Sequence, residues 1–503
     1  MLRRSKRFLL AIPPLYLLYF FGLTNAGMVG PDEPRYAAIA RQMAQSGDWI
    51  TPRLWGEPWF EKPALLYWMQ GVAFRVGLSE DLAPRLPVAL CSVAFLIFFY
   101  WILRREFGDP SAGFATAILA TSAGWLGLSH IGITDLPMSA AFAAALLLAL
   151  GWLARGETER LPACAALLGA AVLAKGLLPL VLALPLLWMG RRRWRDWFQA
   201  QVTIVFILIA LPWYILCFLR NGWPFVQKFF WEHQVGRFST LALAHGQPFW
   251  FFLPVIVASL FPWIPTLALL FRRSLYSDSR RRLLLLWVIF GLVFFSAARN
   301  KLPSYVLPLL PALAALAGIA LAESKRPRWV LAATGGLLAL LGPISAILPN
   351  ALAVGISRSA LPPFHWMWLL PVLASVAVWS LEAAGQRSAA VALLAAGVTT
   401  GAVVIEMWTV PEIDRVASAR PLWRAIAPIH ERVCVARLHR SQRYGLNYYS
   451  LAPLPDCRAE PRELEIMQEP GAPPRLVNAM AVPAGFSGRL RADHIPDSSA
   501  DGP

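Results

Sequence analysis

The stretch that decides the fold is Gly27–Trp49, "GMVGPDEPRYAAIARQMAQSGDW". It follows directly on an apolar run, "FLLAIPPLYLLYFFGLTNAG" at 8–27, long enough to cross a bilayer core about 30 Å thick. Two adjacent carboxylates, Asp32 and Glu33, therefore stand just beyond a membrane-length segment. An amphipathic pattern then begins: Tyr36, Ile39, Ala40 and Met43 fall at i, i+3, i+4 and i+7. The spacing predicts a helix with one apolar face, suited to lying in the membrane interface. Pro34 fits its first turn and Asp32 is placed to cap it.

Working outward, the whole chain reads as a polytopic, all-α membrane protein. Of its 503 residues 57% are hydrophobic and only 15% charged, too little polar surface to cover a soluble globule of that size. Apolar stretches recur near 8–26, 86–103, 111–130, 134–153, 161–175, 177–190, 200–219, 249–271, 283–298, 303–322, 329–348, 365–382 and 388–408, about thirteen spans. The first is expected to be an uncleaved anchor, because it exceeds the apolar core of a typical signal peptide.

The net charge of +17 does not point to nucleic acid. With the N-terminus in the cytoplasm, the short cytoplasmic connections hold 21 basic residues, against 13 in the longer opposite-side segments before residue 410. That asymmetry is the positive-inside pattern, so the basicity reports topology. It places the long loop 27–86, the 220–248 loop and the C-terminal region outside the cytoplasm.

Two domains are expected: a transmembrane unit over 1–410 and a small α/β region over 411–503. In the latter, "RVCVARL" alternates like a strand, "RSQRYGLNYYS" follows as a turn or short helix, and the last forty residues read as loosely ordered. Cys434 and Cys457 share this external region, where an oxidising compartment permits a disulfide. Cys91, Cys164 and Cys217 sit in apolar spans as packing residues.

Five polar clusters stand at the external ends of spans: Asp32–Glu33; "WFEKPALLYW" with Glu61 and Lys62; "SHIGITDLPM" with Asp135; "FFWEHQVGRFS" with His233 and Arg237; and "SAARNKLPSYVLPLLP" with Lys301 and Tyr305. An ionisable group at a helix centre costs about 2.5–3.5 kcal/mol on insertion scales, so such convergence points to a polar cavity open to that face.

The string "GPDEPRYAAIARQMAQSGDWITPRLWGEPWFEKPALLYW" closely resembles the first external loop of the bacterial aminoarabinose-lipid A transferases. Their relatives are the polyprenyl- or dolichyl-phosphate-mannose-protein mannosyltransferases of GT-C fold. "WEHQVGRF" and "KLPSYVLPLLPALA" resemble later segments of the same family, in the same order. The resemblance covers about 1–410. It implies a GT-C bundle and a glycosyltransferase of the bacterial inner membrane, using a polyprenyl-phosphate-linked sugar and a lipid or envelope-glycan acceptor. It also implies a base role for Asp32, a second acidic position at Asp135, and phosphate contacts for Lys62, Arg237 and Tyr305.

Chemistry adds Lys301 to the phosphate side, since charge develops on the departing phosphate. It leaves Glu33, Glu61 and His233 as supporting polar neighbours. No cofactor is required, although a divalent ion near Asp32 and Asp135 is a minority reading. The competing expectations are a protein O-mannosyltransferase-like enzyme and a transporter or flippase of lipid-linked glycans.

Overall fold

The computed structural model describes residues 2–236, 247–469 and 472–478. The chain opens with helix α1, Leu2–Tyr19, whose last residue donates from its hydroxyl to the Ala120 carbonyl at 2.8 Å. Helix α2, Asp32–Ser46, then starts at the two carboxylates and closes at Gly47. That glycine takes φ +73°, and its N–H reaches the Met43 carbonyl. A two-residue hairpin follows, β1 (Arg53–Leu54) against β2 (Glu57–Pro58), with Trp55 and Gly56 at its tip. Helix α3 is Leu65–Arg75 and α4 is Leu86–Phe107. Then come α5 (Asp109–Ala120), α6 (Ala123–Ser129), α7 (Asp135–Arg155) and α8 (Leu161–Lys175).

Among the described residues six helices are long and apolar enough to cross a membrane, or up to nine if each bent pair is one span. The about thirteen apolar stretches read from sequence thus include uninterrupted helices, helices broken midway, and shorter pieces. The α5–α6 pair bends by 59°, Ala200–Ala210 with Pro212–Asn221 by 43°, and Phe249–Ser259 with Ile264–Phe271 by 113°. Proline at the first turn of the second helix supplies the break at Pro212, where its ring cannot continue the preceding helix. The bundle has a packed centre and a lipid-like periphery. Residues of α7 and of Pro303–Glu323 are mostly buried, whereas Arg328–Val354 and Trp366–Ala383 expose large apolar side chains such as Trp366, Leu373 and Val376. Water would not tolerate so wide an apolar surface, and lipid does. At the centre α5 meets helix Leu310–Glu323 so closely that a Cβ on Gly318 would lie 2.4 Å from the Ala115 nitrogen.

The helix α2 exists as its periodicity predicts, but its environment differs. Tyr36, Ile39, Ala40 and Met43 are each at most 1% exposed. The apolar face is buried against protein, chiefly α3 and the Arg440–Tyr449 helix, and does not face lipid. Asp32 also differs from its reading as a cap: it is the first residue of the helix, and Pro31 holds the cap position.

After helix Arg387–Val404 and its continuation to Ala417, the chain forms the small α/β unit. Strand β3 (Val433–Arg437) pairs parallel with β4 (Leu464–Met467), which pairs antiparallel with β5 (Arg475–Asn478). Leu464–Met467 and Arg475–Asn478, read from sequence as part of a loose tail, are therefore two strands, because pairing with β3 and with each other supplies order that local composition does not. Cys434 and Cys457 are joined by a disulfide.

This unit is locked to the first loop. The Arg420 guanidinium donates to Asp81 at 2.6 Å and to the carbonyls of Thr24 and Asn25, each at 2.9 Å. The Tyr449 hydroxyl donates to Asp81 (2.8 Å) and accepts from the Met28 N–H (2.9 Å), and Tyr448 donates to the Glu80 carbonyl (2.7 Å). Gly27 permits this approach: a Cβ there would fall 2.3 Å from Ser418 Oγ and 2.6 Å from the Tyr449 oxygen.

Candidate active site

The two adjacent carboxylates diverge completely. Glu33 is buried and accepts from Arg85 Nε (2.8 Å), Arg85 Nη2 (2.9 Å), the Gly132 N–H (2.8 Å) and the Val29 N–H (3.1 Å). Arg85 spends its remaining donors on the carbonyls of Leu23, Ala26 and Gly27. Burial opposes the charge on Arg85, but the Glu33 carboxylate outweighs it and holds the guanidinium above its ordinary range. Glu33 thus anchors the start of α2 to the loop before α4 and to the turn before α7.

Asp32, one residue earlier, keeps 41% of its side chain exposed and is paired with Arg35 one turn along α2. Two acidic residues in this first turn also suit the positive end of the helix dipole. Arg35 is buried and donates from Nη1 to Glu61 Oε2 at 3.0 Å and from Nε to the Pro31 carbonyl. Burial works against its charge, yet Glu61 and Asp32 raise it above the ordinary range. Its Cζ sits 5.6 Å from the Trp59 ring and 5.1 Å from the Tyr444 ring, and the latter stacks on Trp55 at 5.8 Å.

From Glu61 the chain of charges continues inward. Lys62 Nζ lies 3.3 Å from Glu61 Oε1, is itself buried, and is within electrostatic reach of Asp135. Asp135, at the first turn of α7, pairs with Lys175 Nζ at 2.7 Å, with Ser304 beside it. The Lys175 ammonium is 5.2 Å from the Tyr305 ring centre. The result is one alternating series, Asp32, Arg35, Glu61, Lys62, Asp135, Lys175, running from a half-exposed carboxylate to a largely enclosed cation beside Tyr305. Alternation lets each buried charge keep a partner, as low dielectric demands.

The structure therefore brings together Asp32, Glu61, Lys62, Asp135 and Tyr305 of the residues read from sequence. Lys301 is buried and donates to the carbonyls of Ala298 (2.6 Å) and Gln247 (3.1 Å), so part of its capacity is spent on backbone. His233 lies on the helical segment Gln227–Gly236, which starts near Lys62 through the Phe60–Phe225 ring contact at 5.2 Å. Arg237 lies outside the described residues. Arg35, Lys175 and Ser304 were not singled out by sequence reasoning. Lys175 carried a usable signal: it is a lone cation in the apolar run "VLAKGLLPL", and an ionisable residue there is rarely idle.

The donor set does not favour a divalent ion at Asp32 and Asp135, since each carboxylate is already matched to its own cation. Among the described residues the one cluster with metal-ligand spacing is Cys434, Cys457 and Glu465, whose cysteines are joined in the disulfide.

Residues 61–216, which hold Glu61, Lys62, Asp135 and Lys175, match the family described as dolichyl-phosphate-mannose-protein mannosyltransferase. The chain is 36% identical over 321 residues to an undecaprenyl phosphate-alpha-4-amino-4-deoxy-L-arabinose arabinosyl transferase of Pseudomonas fluorescens, covering 61% of this chain and 54% of that protein. It is 34% identical over 343 residues to the transferase of the same name from Pseudomonas paraeruginosa, covering 65% and 61%. The matches thus span little more than half the length of these curated relatives. The crystal structure of ArnT from Cupriavidus metallidurans in the apo state superposes with a TM-score of 0.74 at 24% identity, over 93% of each chain. The same protein bound to undecaprenyl phosphate gives 0.72 at 23%, over 92% of this chain and 93% of that one. Sequence likeness over about three fifths of the chain, and a shared fold over more than nine tenths of it, make this protein a relative of those arabinosyl transferases with the GT-C fold of ArnT.

Proposed function

We propose that this protein is an integral-membrane, inverting glycosyltransferase. It moves a sugar from a polyprenyl-phosphate-linked donor to a hydroxyl of lipid A or another envelope glycan or lipid. The observation that carries this reading is the charge series: one half-exposed carboxylate, Asp32, at the open end, and the cations Lys62 and Lys175 deeper in the bundle.

In the proposed reaction the acceptor oxygen attacks the anomeric carbon, and the bond from that carbon to the donor phosphate oxygen breaks. Asp32 takes the hydroxyl proton, and its pairing with Arg35 fixes the direction of the carboxylate. Lys62 neutralises the phosphate as it departs, with Tyr305 and Lys175 on the same side. A single displacement of this kind inverts the anomeric centre. The basic-residue asymmetry supports a multi-pass protein of the bacterial inner membrane, with the N-terminus cytoplasmic and the C-terminal domain periplasmic. The names of the curated relatives support lipid A-type chemistry and an undecaprenyl phosphate carrier.

The purified protein in liposomes with lipid-linked donor tests the assignment. Asp32→Asn is expected to abolish transfer with donor binding nearly intact, because the amide keeps the size of the side chain but cannot accept the proton. Lys62→Ala is expected to weaken donor binding together with turnover. Near-native transfer by Asp32→Asn would remove it as the base. A protein acceptor is the second reading, favoured by the description of the family matched over 61–216. Mass spectrometry of lipid A and envelope proteins from cells with and without the protein separates the two, and unchanged glycans with altered lipid export would point to a flippase.

A further inference from the structure

Helix α4 carries the chain from the Glu33–Arg85 pair to the opposite end of the bundle, about 33 Å for 22 residues at 1.5 Å each. At that end four arginines of neighbouring loops are neutralised by carboxylates. Arg155 and Arg280 bind Glu106, at 2.6 and 3.1 Å, Arg105 binds Glu157 at 2.8 Å, and Arg281 pairs with Glu323.

Among the described residues the turn at 325–328 has no such partner and lines a cavity with an apolar side. A cavity of about 460 Å³ opens between the start of α5, the end of helix Leu310–Glu323 and the turn before Arg387, lined among others by Pro110, Phe114, Lys325, Arg326 and Arg328. The carboxylate on its wall, Glu382, is bound to Arg387 at 2.7 Å, and Arg387 also donates to the Leu321 carbonyl at 2.8 Å. Among the described residues Lys325, Arg326 and Arg328 have neither a carboxylate partner nor a hydrogen bond. Three like charges on one small cavity repel one another, and desolvation at a membrane edge strengthens the repulsion. An anion relieves it. The wall also has an apolar side, Pro110 and Phe114, and Trp329 stands 54% exposed beside the cations, as an aromatic at a headgroup boundary does.

We propose that this cavity binds the phosphate of an anionic phospholipid, with the headgroup on Lys325, Arg326 and Arg328 and the acyl chains outside the bundle. The proposal does not depend on the transferase reading. A free phosphate or a soluble phosphorylated molecule shares the chemistry, and the test separates the sources.

Native mass spectrometry of the full-length protein, extracted from mixed phosphatidylglycerol and phosphatidylcholine membranes, reads the retained lipid. The native protein is expected to retain phosphatidylglycerol over phosphatidylcholine, with 10 mM inorganic phosphate, as the added probe of about that concentration, failing to displace it. At about fivefold per basic residue, K325Q/R326Q/R328Q is expected to lower retention about a hundredfold. The double variant K325Q/R326Q, which alters only exposed side chains, lowers it about twenty-fivefold. The control R437Q/R458Q/R475Q removes the same charge from exposed positions of the C-terminal unit and leaves retention unchanged. Equal retention of the two lipids, or equal loss in both triple variants, overturns the site. Displacement by inorganic phosphate overturns the lipid and leaves a soluble phosphate ligand in its place.

Discussion

Asp32 and Glu33 show how little a residue type decides by itself. Both are acidic, adjacent and in the first turn of α2, yet one is half-exposed and the other is enclosed by Arg85 and two backbone N–H groups. Glu33→Gln keeps the shape but leaves Arg85 buried without its counter-charge, a loss of about 3–5 kcal/mol. Thermal unfolding in detergent is expected to show a clear fall in Tm for Glu33→Gln. Asp32→Asn is expected to unfold much closer to the native protein, since Asp32 is 41% exposed and Arg35 keeps Glu61 as its counter-charge. The reverse order of the two Tm values would mean that the structural and chemical roles have been exchanged. Sequence reading found both carboxylates because they break an apolar context. It could not find Arg85 as the partner, 52 residues away, because that pairing is made only when the loop folds back.

Elements were legible by period and less so by neighbour. The spacing of Tyr36, Ile39, Ala40 and Met43 yields helix α2, but the same spacing serves an interface helix and one buried in protein. Only the packing of α3 and the Arg440–Tyr449 helix over that face distinguishes them. The latter helix also delivers Tyr444 to the site, where it stacks on Trp55 and covers Arg35. A cation over an aromatic face contributes about 0.5–2 kcal/mol, which converts to roughly two- to thirtyfold in rate if it is lost in the transition state. Tyr444→Ala is therefore expected to lower kcat within that range at unchanged Tm, and Tyr444→Phe, which keeps the ring, to remain near the native rate. Steady-state kinetics on both variants checks this, and an equal loss in the two would assign the effect to the hydroxyl instead of the ring.

For the whole molecule, the membrane class follows from composition and the proposed orientation from the distribution of Lys and Arg. The number of crossings is obscured where the chain bends inside an apolar stretch, as at Phe249–Phe271, whose two halves meet at 113°. Reporter fusions after Ala200 or Ser324 are expected to read cytoplasmic, and those after Gly47 or Ala459 periplasmic. A cytoplasmic reading after Gly47 would put Asp32 on the wrong side for the proposed reaction. The lock between the first loop and the C-terminal unit joins residues 339 to 421 positions apart, as in Arg420 with Asp81 and Met28 with Tyr449. That separation imposes an order on biosynthesis. The loop bearing Asp32 leaves the ribosome among the earliest segments, and must wait through insertion of every later span before its final partners exist. A chain cut between the last bundle helix and Tyr449 has made Asp32, Glu33 and its bundle, but lacks the tyrosine contacts that hold the first loop from outside the bundle.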